Sequence, residues 1–367
     1  MASYASASFM LLLLLQLQLW SCSEALPGSH PVNPTCPQEW PSTVAMSSNY
    51  DEPSCKPPAP HIPVAVFPYD VDPMQFALNL EYTEAEFFLR GAYGVGLDQI
   101  APNMAMGGPQ PVGARKANLD EVTWRIISEF SLQEVGHIRA IQHTVGGIPR
   151  PLIDLGAHNF ARVMDEAFGY QLNPPFDPYI NSINFLLASY VIPYLGLNGY
   201  VGTNTIIDGY ETKKLSGPMI NENIMYVEWC VHAASSWAAG GGAVEAGQDA
   251  VIRGFLFERR GEVVPPYWNI TVAEFTDRVS ALRNGLGRCG VKDEGLTVPR
   301  ELGAEGTICT NVLSADRDSL SYSRTPAEIL RILYLTGDEH VPGGFFPEGA
   351  NGRIARSFLG KPHHGAP

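Results

Sequence analysis

Glu134-Val135-Gly136-His137 sets a carboxylate and an imidazole three positions apart. On a helix this spacing stacks the two side chains one turn apart, so both can reach a single ion. Residues 119–146 read as such a helix. At about 100° per residue, Leu119, Ile126, Phe130, Ile138 and Ile141 share one face, with Arg125, Ser128 and Arg139 on the other. Glu134 and His137 fall near the centre of the apolar face. Both groups are costly to aim into a core unless something there needs them, and a metal ion is the usual reason. Two readings are open: metal ligation, or a buried carboxylate hydrogen-bonded to a core histidine.

Other stretches also aim carboxylates inward. Asp72-Pro73, a cap residue with proline at the first helical position, opens a helix over residues 73–92. Its expected solvent stripe is Gln75, Asn79, Thr83, Glu86 and Arg90. Leu78, Ala85 and Phe88 lie opposite with Glu81 among them, and Glu84 falls on the flank. Glu81 could equally partner an inward Arg or Tyr. In residues 243–259, Glu245 shares a face with Ile252, Phe255 and Leu256, and Gln248 and Asp249 lie beside it. Residues 177–200 form a third long apolar segment, interrupted by Pro193, with no Asp or Glu between Tyr179 and Asn204. A di-iron carboxylate bundle draws one Glu from each of two helices and E-x-x-H from each of the other two. Glu81 and the Glu134–His137 pair fit that order. The last helix offers Glu245-Ala246-Gly247-Gln248, in which Gln binds metal only weakly.

The chain has 367 residues, 45% of them hydrophobic, which suits one large domain or a domain with a sizeable extension. A net charge of −14 argues against nucleic acid and against an anionic membrane as partners. Residues 9–15 and 17–20 are apolar and precede small residues at Ser21, Ser23 and Ala25. Residues 1–25 are therefore expected to be a secretory signal peptide, although no Lys or Arg precedes the apolar run. No other stretch approaches about 20 apolar residues, so no membrane span is expected. A secreted chain permits disulfides, here Cys36 with Cys55 and Cys289 with Cys309, leaving Cys230 over. Asn269-Ile270-Thr271 is a glycosylation acceptor.

Residues 26–68 read as a Pro-rich arm and residues 69–260 as a four-helix bundle. Residues 217–242, with two Trp and a Gly run, form an atypical insertion. Residues 261–367 form a helical and Gly-rich extension, with helices opened at Thr271 and Thr325. Asn118 is the expected cap of the helix carrying Glu134.

Asn79-Leu80-Glu81-Tyr82-x-Glu84-Ala85-Glu86-Phe87-Phe88, Glu134-Val135-Gly136-His137 and Ala243-Val244-Glu245-Ala246-Gly247-Gln248-Asp249 resemble the ferritin-like domain of plant desiccation-related proteins. Further matching stretches, including Met106-Gly107-Gly108-Pro109, Asn173-Pro174-Pro175-Phe176 and His340-Val341-Pro342-Gly343-Gly344-Phe345, extend the likeness over residues 69–359. The resemblance implies an all-α, secreted ferritin-like bundle linked to drying and other stress. Carried over by position, the metal candidates are Glu81, Glu134, His137 and Glu245. Pro193 and Tyr194 stand where related domains place a third-helix Glu, and Gln248 where the second His would be. With that charge missing, a full di-iron centre is disfavoured. One or two iron or manganese ions, or a vestigial polar core, are the alternatives. The leading functional expectation is a non-catalytic protective or binding role in the cell-wall space, outside the cell. The alternative is a metal-dependent oxidase or ferroxidase using the four candidate residues, and a third is a module binding a small ligand between the helices.

Overall fold

The computed structural model describes residues 60–216, 241–292 and 294–360. The helix α1 (Val71–Tyr93) begins two residues before the expected Pro73. Buried Asp70 fixes this start. Its carboxylate accepts from the backbone of Asp208 (3.1 Å) and Gly209 (2.9 Å) and from the Thr212 hydroxyl (2.7 Å). Gly94 ends the helix in the left-handed region at φ 78°.

The helix α2 (Glu121–Val145) is capped by Asp120, whose carboxylate accepts from the Thr123 backbone at 2.9 Å. Asn118, the cap expected from sequence, instead donates to the Ile180 carbonyl at 3.3 Å. Next come α3 (Ala157–Phe168), α4 (Ser182–Ser189) and α5 (Pro193–Asn204), the last two being one stave broken at Pro193. The stretch Ser182–Asn204 is apolar and long enough to cross a membrane, but it is mostly buried among the other helices. After α6 (Tyr210–Ser216), α7 (Gly241–Glu258) supplies the final stave.

Packing of α1 on α2, α1 on α5, α7 on α5 and α7 on α2 makes an all-α four-helix bundle. Only isolated bridges, and no strands, occur among the described residues. The first and third staves approach closely where Gly91 faces Phe185. A Cβ there would meet the Phe185 ring at 2.4 Å. Phe185 in turn stacks on Phe87 with ring centroids 4.5 Å apart.

In the extension, α8 (Val272–Gly287), α9 (Pro326–Leu333) and α10 (Arg353–Phe358) pack on one another and on α3, α5 and α1. Thr271 and Thr325 cap α8 and α9 as expected. Fully buried arginines join extension and bundle. Arg283 donates to the carbonyls of Tyr190 and Val191, the groups orphaned by the break before Pro193. Arg253 on α7 donates to the carbonyls of Val312 (2.6 Å) and Asn311 (2.7 Å).

The stripe expected to face solvent on α1 does not. Asn79, Thr83 and Glu86 are all buried, because the Arg150 loop and α10 cover that side. Glu86 is held there by Arg150, which also pairs with Asp98 at 2.8 Å. The Cys289–Cys309 bond is not formed, and both are exposed free thiols. Cys289 follows the left-handed Arg288 at the end of α8, against Arg331. Cys309 belongs to a separate loop whose carbonyl is held by Val298. Cys36, Cys55 and Cys230, residues 1–25, and the insertion apart from the two glycines that open α7 lie outside the described residues.

Arg283→Leu strips two buried carbonyls of their donor. A stability loss of about 3 kcal/mol in urea unfolding is expected; a loss below about 1 kcal/mol would mean the break before Pro193 needs no such cap.

Candidate metal centre

Three staves send ionisable groups to one point in the bundle interior. Glu81 comes from the middle of α1, Glu134 and His137 from α2, and Glu245 from the first turns of α7. The His137 Nδ1 lies 3.2 Å from Glu81 Oε2, 3.2 Å from Glu134 Oε2 and 3.3 Å from Glu245 Oε1. One ligand atom from each of the four falls within 4.8 Å of all the others. All three glutamates are buried, and the His137 side chain keeps 10% exposure. The residues singled out from the sequence therefore converge.

The broken third stave brings no carboxylate, as its sequence predicts. It contributes Tyr200, whose hydroxyl donates to Glu81 Oε1, and Gly196. Gly196 leaves room for a carboxylate that the helical pattern had put on a flank. A Cβ at this position would lie 2.9 Å from Glu84 Oε1 and 3.6 Å from Glu245 Oε2. Glu84 is 1% exposed and faces the same interior. Its signal was available in Glu81-Tyr82-Thr83-Glu84, the same three-residue spacing that joins Glu134 to His137.

The electrostatics are those of a buried surplus of acids over bases. Burial, reinforced by the charges of Glu245 and Glu134, pushes the Glu84 carboxyl well above the ordinary range. Burial and the Glu245 charge do the same to Glu134. Burial and Glu81 raise Glu245. For Glu81, burial acts upward, but the His137 charge and its hydrogen bond outweigh it, so this carboxylate stays ionised. Burial opposes protonation of His137, yet Glu134 and Glu81 hold it firmly protonated. Four carboxylates facing one imidazolium cannot all stay ionised without further positive charge.

Several acceptors are left wanting. Both oxygens of Glu84, both of Glu245 and the Gln248 Oε1 are buried without a well-formed hydrogen bond. The Gln248 amide donates to Glu134 Oε1 at 2.6 Å, so its carbonyl oxygen is the free end. Orphaned oxygens with one imidazole nitrogen suit iron or manganese and lack the thiolates that soft metals select. By this test the residues fit a metal. Elsewhere, Asp338, Glu339 and His340 also cluster, but Glu339 is gripped by Arg331 at 2.6 and 2.8 Å and His340 Nδ1 lies 2.6 Å from the Phe358 carbonyl.

The family described as a ferritin-like domain matches residues 69–222. A protein named ferritin-like catalase Nec2, from Nesocodon mauritianus, is 56% identical over 314 residues, covering 86% of this chain and 94% of that one. Desiccation-related protein PCC13-62 from Craterostigma plantagineum is 49% identical over 284 residues, 77% of this chain and 83% of its own. No solved structure matches the chain. This chain belongs to their family, the plant desiccation-related proteins with a ferritin-like domain.

Proposed function

We propose that this protein is a metal-dependent enzyme that consumes hydrogen peroxide, disproportionating two molecules into two of water and one of dioxygen. The observation that carries the reading is the set of buried carboxylate and amide oxygens at Glu84, Glu245 and Gln248 that make no well-formed hydrogen bond, beside the convergence of Glu81, Glu134, His137 and Glu245. The name of the Nesocodon mauritianus relative supports the same chemistry. Glu81, Glu134, His137 and Glu245 would hold one iron or manganese ion. A second would draw on the free oxygens of Glu84, Glu245 and Gln248. Such ions supply the electron relay between the peroxide that is oxidised and the one that is reduced.

The chain's own groups then have separate tasks. Tyr200 ties down one oxygen of Glu81, and Gln248 orients Glu134 through its amide. The carboxyls of Glu84, Glu134 and Glu245 give up protons as metal arrives, so metal affinity rises with pH. The apolar walls around them exclude bulk water. Action outside the cell belongs to this reading, supported by the apolar N-terminus and by the exposed position of Asn269 as a glycan acceptor.

A second reading is the non-catalytic protective role, in which the centre is vestigial. It is favoured by Gln248 standing in place of a histidine and hydrogen-bonding Glu134.

Metal analysis with peroxide turnover separates the two. The enzyme reading expects up to two equivalents of manganese or iron per chain and dioxygen release from peroxide. His137→Ala should lose metal, and Glu84→Gln should hold one ion fewer, each with turnover down by at least about 100-fold. Wild-type protein that takes up neither metal, or takes it up without dioxygen release, overturns the enzyme.

The raised carboxyls also set the acid–base behaviour of the metal-free protein. Groups whose protons are held more tightly folded than unfolded stabilise the fold at low pH. They lose that contribution as pH climbs above 4.5, the ordinary glutamate value. His137 acts in the same sense above 6.5. The unfolding temperature of metal-free protein should therefore fall between pH 5 and pH 8, and saturating manganese should restore it more at pH 8. A rise in that temperature across the same range would contradict the charge arrangement.

A further inference from the structure

A crevice runs between α1, α5 and α9, and two of its lining residues, Gly196 and Tyr200, adjoin the carboxylates of the metal centre. Thr203 and Pro326, both partly exposed, line its mouth, while buried Leu80 and Ile329 form its walls. Its floor is Gly196 and Tyr200. Through that floor the crevice meets three of the four carboxylates. The Tyr200 hydroxyl donates to Glu81, and the bare Cα of Gly196 faces Glu84 and Glu245. The charged residue on the wall, Arg324, is turned away toward Asn284 (3.0 Å) and Glu328 (3.7 Å).

Resting on the peroxide reading above, we propose that this crevice is the substrate's path to the metal centre and that Gly199 sets its bore. Gly199 lies about one turn beyond Gly196 on α5 and also lines the crevice. A Cβ there would lie 2.9 Å from Ile329 Cδ1, so a bulky side chain would have to push into Ile329 and narrow the passage. Apolar walls and a glycine constriction pass a small uncharged molecule such as hydrogen peroxide. They turn back alkyl hydroperoxides by size and anions by desolvation. The other approach is along His137, whose side chain retains 10% exposure, and the experiment decides between them.

Two constrictions are compared in the full-length protein: Gly199→Val inside the crevice and Thr203→Phe at its mouth, where folding is least disturbed. The first readout needs no metal. Leu80→Cys places a thiol on the wall, and its labelling by a small methanethiosulfonate is followed by peptide mass spectrometry, which separates it from the native cysteines. Labelling should slow at least tenfold in both constricted backgrounds. The second readout is peroxide turnover, in which kcat/KM should fall at least tenfold while metal per chain is unchanged. In the opposite direction, Ile329→Ala should raise kcat/KM for tert-butyl hydroperoxide. Constricted proteins with unchanged kcat/KM for peroxide place the path along His137 and overturn this proposal, as does labelling indifferent to both substitutions. Failure of every variant, wild type included, to take up metal overturns instead the functional reading on which the path depends.

Discussion

Carboxylates do not stay ionised side by side in a dry interior unless cations join them. Here four meet one imidazole, and the rest of the bundle is arranged around that conflict. The helices α1, α2 and α7 hold the acids close, with the imidazole nitrogen 3.2–3.3 Å from three of them. Protons can relieve the strain, and Glu84, Glu134 and Glu245 are all displaced upward in that direction. Metal ions would relieve it too, and would also engage the oxygens of Glu84, Glu245 and Gln248 that make no well-formed hydrogen bond. A core vestigial in the ordinary sense would have replaced such groups with apolar ones or supplied them with donors.

The third stave explains how the site survives without a ligand from that side. Its break before Pro193 frees carbonyls that a continuous helix would have bonded, and Arg283 from the extension takes them. Arg253 anchors the same extension from α7. The bundle and the segment following it are therefore one mechanical object. With its backbone so held, α5 can present Gly196 and Tyr200 to the site: space for Glu84 in one case, a donor for Glu81 in the other.

Much of this was legible in the sequence because a polar group on an apolar helical face has few explanations. Glu134, His137, Glu81 and Glu245 each broke a hydrophobic stripe, and each reaches the centre. Glu84 escaped because a helical wheel assumes one wet side. The helix α1 has almost none, being walled by α2 and α5 on one side and by Arg150 and α10 on the other. On an enclosed helix, flank positions point into the protein. The same enclosure buried Glu86, which pairs locally with Arg90 at 2.9 Å but also with Arg150, 64 residues further on, a partner that spacing does not reveal. The Asp120 cap was obscured by the nearby Asn118, an equally good capping type. The choice between them was made by Ser182, whose hydroxyl accepts from the Asp120 backbone at 2.9 Å. Spacing alone could not exclude Cys289 and Cys309 as partners, since disulfide geometry depends on how each backbone is anchored.

Counting Glu84 changes the charge argument about how many ions the centre holds. The pattern read from sequence offered three carboxylates, too few to balance two divalent ions, which made a dinuclear centre improbable. Four ionised carboxylates match two divalent charges, with His137 then neutral and free to ligate. What the chain still lacks against the di-iron pattern is one nitrogen donor, at Gln248. An amide there keeps the balance of charge, because histidine would have ligated as a neutral group too. Gln248 offers a weaker bond, and its amide hydrogens go to Glu134 and Gln133 instead. A loaded centre would then be asymmetric, with His137 and the carboxylates of Glu81, Glu134 and Glu245 holding one ion and only oxygens available to a second. An oxygen-only position would favour manganese over softer ions.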